Sequence, residues 1–271
     1  MSAPPAPAGE LFADPVPDGD GWAASFDQGW NSIGVLHGGL VIAMMVRAAT
    51  LDSNLRPASV TAHLHSGAQS GPARIELLEL NAGRTARSMQ AVLEQDRRRA
   101  TAVVLLTSDE AADATGAEIP PSAVGPLPPL PADVDEAAPS RRIAPFMDNL
   151  HVAMVGDNFP FRGGSDTALA AWMRPRRPHP DPAAIATLLL DAMPPSLYAR
   201  RTAPQPILTI EFTVHLTPLA HRPARGDGWL LIEQRTVWAI GELCMDDATL
   251  RDEAGDLIGS ARQLRRVLPP R

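Results

Sequence analysis

Residues 181–216, DPAAIATLLLDAMPPSLYARRTAPQPILTIEFTVHL, decide how this chain is read. Asp181 before Pro182 is an N-cap followed by a first-turn proline. Ile185, Leu188, Leu189 and Ala192 recur at helical spacing until Pro194 and Pro195 end the run. A short loop leads into an alternating strand over residues 206–217. Inside the apolar helix sits one carboxylate, Asp191, and burying it without partners costs on the order of several kcal/mol. A buried helix carrying one acid, packed against a strand, is where chemistry is expected.

Working outward, 271 residues allow one large domain or two of ordinary size. The net charge of −7 gives no basic footprint for nucleic acid. Every formal cation is an arginine, since the chain contains no lysine. Cys244 is the single cysteine, which excludes an intrachain disulfide and a cysteine-rich metal site. The opening MSAPPAPAGE lacks the basic and apolar regions of a secretory signal, and no apolar run is long enough to span a membrane. A cytoplasmic protein is expected.

Residues 1–20, rich in Pro, Ala, Gly and Asp, read as a flexible lead-in. An N-terminal unit follows over residues 21–108: a strand near residues 22–26, an almost wholly apolar helix over 40–51, then strands over 58–65, 73–81, 85–95 and 98–107. Residues 109–142 are a Pro/Ala-rich linker without periodicity. In the C-terminal unit, 143–271, residues 146–161 read as irregular and 168–174 as a strand. The helix above follows, then strands over 206–217, 229–239, 241–250 and 257–268. The two units share a plan, and VTAHL at residues 60–64 echoes FTVHL at 212–216. Helix then meander, done twice, predicts an α+β internal duplication with each antiparallel sheet curled around one helix.

These residues resemble a known family. The ordered set is HGG at 37–39, WMR at 172–174, LLLDAMPP at 188–195, TIEFTVHL at 209–216 and GSARQ at 259–263. It is similar to the double hot-dog thioesterases, and within them to the TesB-like acyl-CoA thioesterase II family. The resemblance implies two tandem hot-dog repeats and hydrolysis of a fatty acyl-CoA without metal or redox cofactor. It also implies a water-activating set of Asp191, Thr209 and Gln263. Two departures bear on pocket shape: the strand after Thr209 is one residue shorter before Pro218, and Arg262 stands where an apolar residue is expected.

Each candidate also has a plainer reading. Asp191 can cap loop amides at a helix end. Thr209 falls on the polar phase of its strand with Glu211, Thr213 and His215, where threonine is often only a strand former. Gln263 has no local mark. His37, Gly38 and Gly39 open the first helix with unhindered amides suited to an anion or oxyanion, and equally with a turn that packs closely. Where the second helix carries Asp191, the first offers Met45-Val46-Arg47-Ala48, so only the second repeat is expected to be catalytic. His37, His63 and His215 lack metal-ligand spacing and read as structural. The Arg pairs at 141–142, 176–177, 200–201 and 265–266 suit coenzyme A phosphates or, more simply, solvent. Met44 and Met45 suit an acyl tunnel or a packed core. A hot-dog hydratase would want a histidine after the Gly156-Asp157-Asn158-Phe159-Pro160 stretch, and none follows. A non-catalytic acyl-binding protein would lack the acid set. One chain supplies both hot-dog units, which makes a monomer feasible; the resemblance also accommodates a homodimer of double hot-dogs.

Overall fold

Chain packing starts from the helix behind His37-Gly38-Gly39. In a computed structural model describing residues 9–108, 127–130, 144–223 and 225–269, α1 runs Gly38–Ser53 and extends at both ends past its apolar stretch. The His37 ring caps its N-terminus, and Asn54 closes it in the left-handed conformation at φ 53°. Residues 39–49 are all buried. Arg47 is the single charge among them. The second helix, α2, spans Pro182–Leu189 and is capped by Asp181, whose carboxylate accepts from the Ala183 and Ala184 amides. It stops short of Asp191, which falls in the tight turn that follows, with its amide bonded to Leu188 O. Pro194 and Pro195 bias the residues before them away from helix.

Fourteen strands, β1–β14, are described. Those bearing on the site are β5 (Arg56–Leu64), β7 (Ala86–Glu94), β8 (Arg98–Thr107), β11 (Ile207–Leu216), β12 (Leu230–Ile240), β13 (Leu243–Asp252) and β14 (Leu257–Val267). With β1 (Val16–Asp18), β2 (Gly21–Phe26), β6 (Gly71–Ala82), β9 (Leu150–Val155) and β10 (Ala168–Pro175), twelve strands form one antiparallel sheet in the order β1-β2-β6-β7-β8-β5-β11-β14-β13-β12-β10-β9. The halves mirror each other about the β5–β11 junction. There Thr61 and Thr213, equivalent residues of the VTAHL and FTVHL echo, pair with one another, their hydroxyls 3.3 Å apart. The duplication expected from the sequence is thus one continuous sheet wrapped around two contacting helices, an α+β double hot-dog.

Three expectations change. The lead-in is packed from residue 11: Leu11 and Phe12 are buried and Asp14 pairs with Arg47, because an apolar pair and an acid find partners in the core. The stretch 146–161 contains β9 (Leu150–Val155), held beside β10 (Ala168–Pro175). Arg176 Nε and Arg177 Nη2 donate to Leu150 O and Asn149 Oδ1 at its start, so that pair serves the fold. Most of the 109–142 linker lies outside the described residues. Within it, Leu127 packs near Trp172, whose indole N–H donates to Pro128 O at 3.3 Å.

Candidate active site

Where the end of α2 meets the start of α1, backbone touches backbone. A Cβ on Gly39 would lie 2.7 Å from Leu188 O and 2.8 Å from Asp191 Cβ, so only glycine permits the approach. The approach delivers Asp191 to the α1 N-terminus. Gly39 N–H donates to Asp191 Oδ2 at 2.6 Å, and the positive end of the α1 dipole faces the carboxylate. The close-packing reading of the Gly-Gly pair therefore holds, and the anion on the Gly39 amide is the protein's own Asp191 carboxylate.

His37 completes this end. Its Nδ1 accepts from Leu40 N–H at 3.3 Å, which places the ring proton on Nε2. That N–H donates to Asp191 O at 3.1 Å and lies 3.4 Å from Oδ2. The ring stacks on Phe146 with centroids 4.0 Å apart. Burial pushes the His37 pKa down; Asp191 opposes this and Arg265 adds to it, with a net lowering that keeps the ring neutral near pH 7.

Thr209 reaches the interior through a bulge. β11 shifts register against β14 between Thr209 and Glu211, which reverses the alternation: Phe212 and Val214 face the core, yet so does Ile207, while Leu208 is exposed. The expectation that Thr209 shares the outward phase of Glu211 and Thr213 fails for this reason. Its hydroxyl donates to Gln263 Oε1 at 3.0 Å, and Gln263 Nε2 donates to Leu190 O at 3.2 Å, one residue before Asp191. Asp191, Thr209, Gln263, His37 and Gly39 thus converge, with Asp191 supplied by one repeat to the helix of the other.

Reasoning from sequence missed Arg265 and Asp246. Arg265 is only 4% exposed, whereas Arg266 beside it faces solvent. Arg265 Nη1 donates to Thr209 Oγ1 at 2.8 Å, Nε lies 2.8 Å from Asp246 Oδ2, and Nη2 lies 4.0 Å from Asp191 Oδ1. Asp246 accepts from Thr236 Oγ1 at 2.6 Å and from Ser196 N at 3.4 Å. The signal was available: Ala261, Gln263, Arg265 and Val267 share one strand phase, which makes Arg265 an interior residue.

Other candidates lie elsewhere. His63 and His215 are exposed on the sheet, as is Asp157 in its turn. Met44 and Met45 are core residues. Burial, then Asp246, pushes the Cys244 thiol up to about 11, which makes it no nucleophile. Among the described residues, no group of three His, Cys, Asp or Glu gathers to hold a metal, and no helix is long and apolar enough to cross a membrane.

A double hot-dog sheet with a helix-held carboxylate beside Thr and Gln describes a class of acyl-group enzymes. The family comparison narrows it: residues 26–108 match the acyl-CoA thioesterase N-terminal domain and residues 124–267 the acyl-CoA thioesterase C-terminal domain. The chain belongs to the acyl-CoA thioesterase family and is a thioester hydrolase. Among solved structures it is similar to a hot-dog protein of unknown function from Alicyclobacillus acidocaldarius (24% identity, TM-score 0.83, covering 95% of this chain and 96% of that one). It is similar to a protein assigned as a thioesterase II from Thermobifida fusca YX (23%, 0.75, 93% and 94%). It also resembles the acyl-CoA thioesterase II TesB2 of Mycobacterium marinum (17%, 0.69, 95% and 96%). At these identities the likeness concerns the fold. Among curated proteins no sequence matches.

Proposed function

We propose that this chain hydrolyses fatty acyl-CoA thioesters in the cytoplasm, with Asp191 as general base. The observation that carries this reading is the asymmetry of the Asp191 carboxylate: Oδ2 is spent on the Gly39 amide at 2.6 Å, while Oδ1 has, among the described residues, only the distant Arg265 Nη2 at 4.0 Å. A fixed carboxylate with one uncommitted oxygen suits proton abstraction from water. Oδ1 takes a proton as the water oxygen attacks the thioester carbonyl. The tetrahedral oxyanion forms near the α1 N-terminus, where the dipole and the Gly38 amide favour negative charge. Its collapse breaks the C–S bond, and the proton held by Asp191 passes to the departing thiolate. Gln263 and Thr209 hold the water's position through the amide and hydroxyl. His37, neutral and stacked, keeps the base in place without competing for its proton.

The test is free-thiol release from acyl-CoA esters of short to long chain, for wild type and Asp191→Asn. The expected result is a loss of about 10²–10⁴ in kcat in the variant. Full activity in Asp191→Asn would remove the base from this position. Binding of acyl-CoA without hydrolysis by wild type would make the chain an acyl-binding protein. In solution we expect a homodimer of double hot-dogs, measurable by light scattering.

A further inference from the structure

The site wall contains a buried ion pair that the reaction above does not use. Arg265 and Asp246 are 4% and 1% exposed, and such a pair is a poor way to stabilise a fold, since desolvation offsets its attraction. The other repeat shows that the architecture does not require it. By register, Pro57 pairs with Leu106 as Thr209 pairs with Arg265, and Met89 pairs with Val104 as Asp246 pairs with Gln263. Leu106 and Met89 therefore fill the equivalent places with apolar side chains, both buried.

Hydrogen-bond direction shows what the pair does. A guanidinium only donates. Because Arg265 Nη1 donates to Thr209 Oγ1 at 2.8 Å, Thr209 uses a lone pair there and sends its own proton to Gln263 Oε1 at 3.0 Å. Leu190 O only accepts, so Gln263 turns its amide nitrogen there, donating at 3.2 Å beside Asp191, and faces Thr209 with Oε1. Without Arg265 the Gln263 amide would still be set by Leu190 O, but the Thr209 hydroxyl would lose the donor that pins its oxygen and could rotate away from Gln263 Oε1. Asp246 anchors the guanidinium and is itself held by Thr236 and Ser196. Arg265 Nη2, which has no hydrogen-bond partner among the described residues, remains directed at the Asp191 side of the site.

We infer that Arg265, anchored by Asp246, is a positioning residue that pins the Thr209 hydroxyl as donor to Gln263 Oε1, so that the Thr209–Gln263 chain holds the reacting water in one place. This rests on the hydrolytic reading above. The experiment compares wild type, Arg265→Lys and the charge-free double variant Arg265→Met with Asp246→Asn, in steady-state hydrolysis of the best acyl-CoA ester and in thermal melting. The double variant leaves neither member of the pair behind as a lone buried charge. A melting temperature near wild type is therefore expected, with kcat lowered on the order of 10- to 100-fold, as for other groups that orient a reacting ligand at second hand. KM should change by less than about 3-fold, since ground-state binding is untouched. Arg265→Lys keeps a donor but cannot span Thr209 and Asp246 in a fixed fork, and should fall between the two. Wild-type kcat in either variant would overturn the inference and leave the hydrolytic reading standing. A wild type inactive on every ester, yet folded, would take both down.

Discussion

The two helices meet at two places, built to one plan and filled with opposite charge. At the α1 N-terminus the cap is a neutral histidine, His37, stacked on Phe146, and the residue arriving from α2 is an acid, Asp191. At the α2 N-terminus the cap is an acid, Asp181, beside His179 stacked on Phe12, and the residue arriving from α1 is Arg47. A helix N-terminus favours an anion in either case. Where the helix supplies its own, the visitor must be a cation. Asp181 spends Oδ1 on two amides and Oδ2 on Arg47, whose remaining donors go to Asp14, so the junction is closed. Where the cap is neutral, the visitor brings the anion and keeps one oxygen uncommitted. The strands follow suit: Thr209, Gln263 and Arg265 have Pro57, Val104 and Leu106 as their counterparts. One junction is closed by ion pairs, and the proposed function places the chemistry at its twin.

The largest effect that tests this contrast is at Asp191. Asp191→Asn should lower kcat by about 10²–10⁴ while the melting temperature moves little, because the amide still accepts from Gly39. Arg47→Met should do the reverse. It strands Asp14 and Asp181 and should cost about 2–3 kcal/mol in denaturant unfolding, below the usual range for buried pairs because Asp14 is a third exposed. Activity per folded molecule should survive. Should Arg47→Met abolish activity in folded protein, the two junctions are not separable. Gly39→Ala comes next, at about 1–3 kcal/mol from overpacking, together with lost activity as Asp191 is pushed from the α1 amides.

Acid should distinguish the junctions in two stages. His37 has its pKa lowered by burial, so the unfolded chain binds its proton more readily; that contribution is intact above the ordinary histidine value near 6.5 and declines below it. For Asp14, burial pushes the carboxyl up, but hydrogen bonds from Arg47 and His179 outweigh it and leave it well below the usual range. Its contribution is intact above about pH 4 and lost as the pH falls further. Melting temperature against pH for wild type and Asp14→Asn should run apart by a steady gap above about pH 4 and converge as the pH falls further, while the His37 stage is common to both. The smallest effect is at Cys244, buried with its thiol near 11, which should resist alkylation in native protein at pH 8.

What could be read beforehand follows from the physics of each residue. Asp191 stands out because a lone acid among Leu188, Leu189, Leu190 and Met193 violates the apolar pattern, and the repeated strand motif marks the duplication. Thr209 was assigned the wrong face because alternation counts residues and cannot register the one inserted by a bulge. The apolar run Ile207-Leu208 was the hint that the phase breaks there. Arg265 passed for surface because its partner charge, Asp246, lies on a different strand. In the lead-in, Leu11 and Phe12 were masked by the prolines around them, although an apolar pair in a polar stretch is itself a signal. Pairings between distant strands are where single-sequence reading ends.

Thr61 bonding to Thr213 places the symmetry axis inside one polypeptide. In an assembly of two identical subunits, one codon change alters both copies of a junction, so neither can be reshaped without the other. Here the two copies are written separately. That independence lets one junction give up reactivity for Arg47, Pro57 and Leu106 while its twin keeps Asp191. On the proposed reading the chain has one kind of catalytic centre, although its fold has room for two.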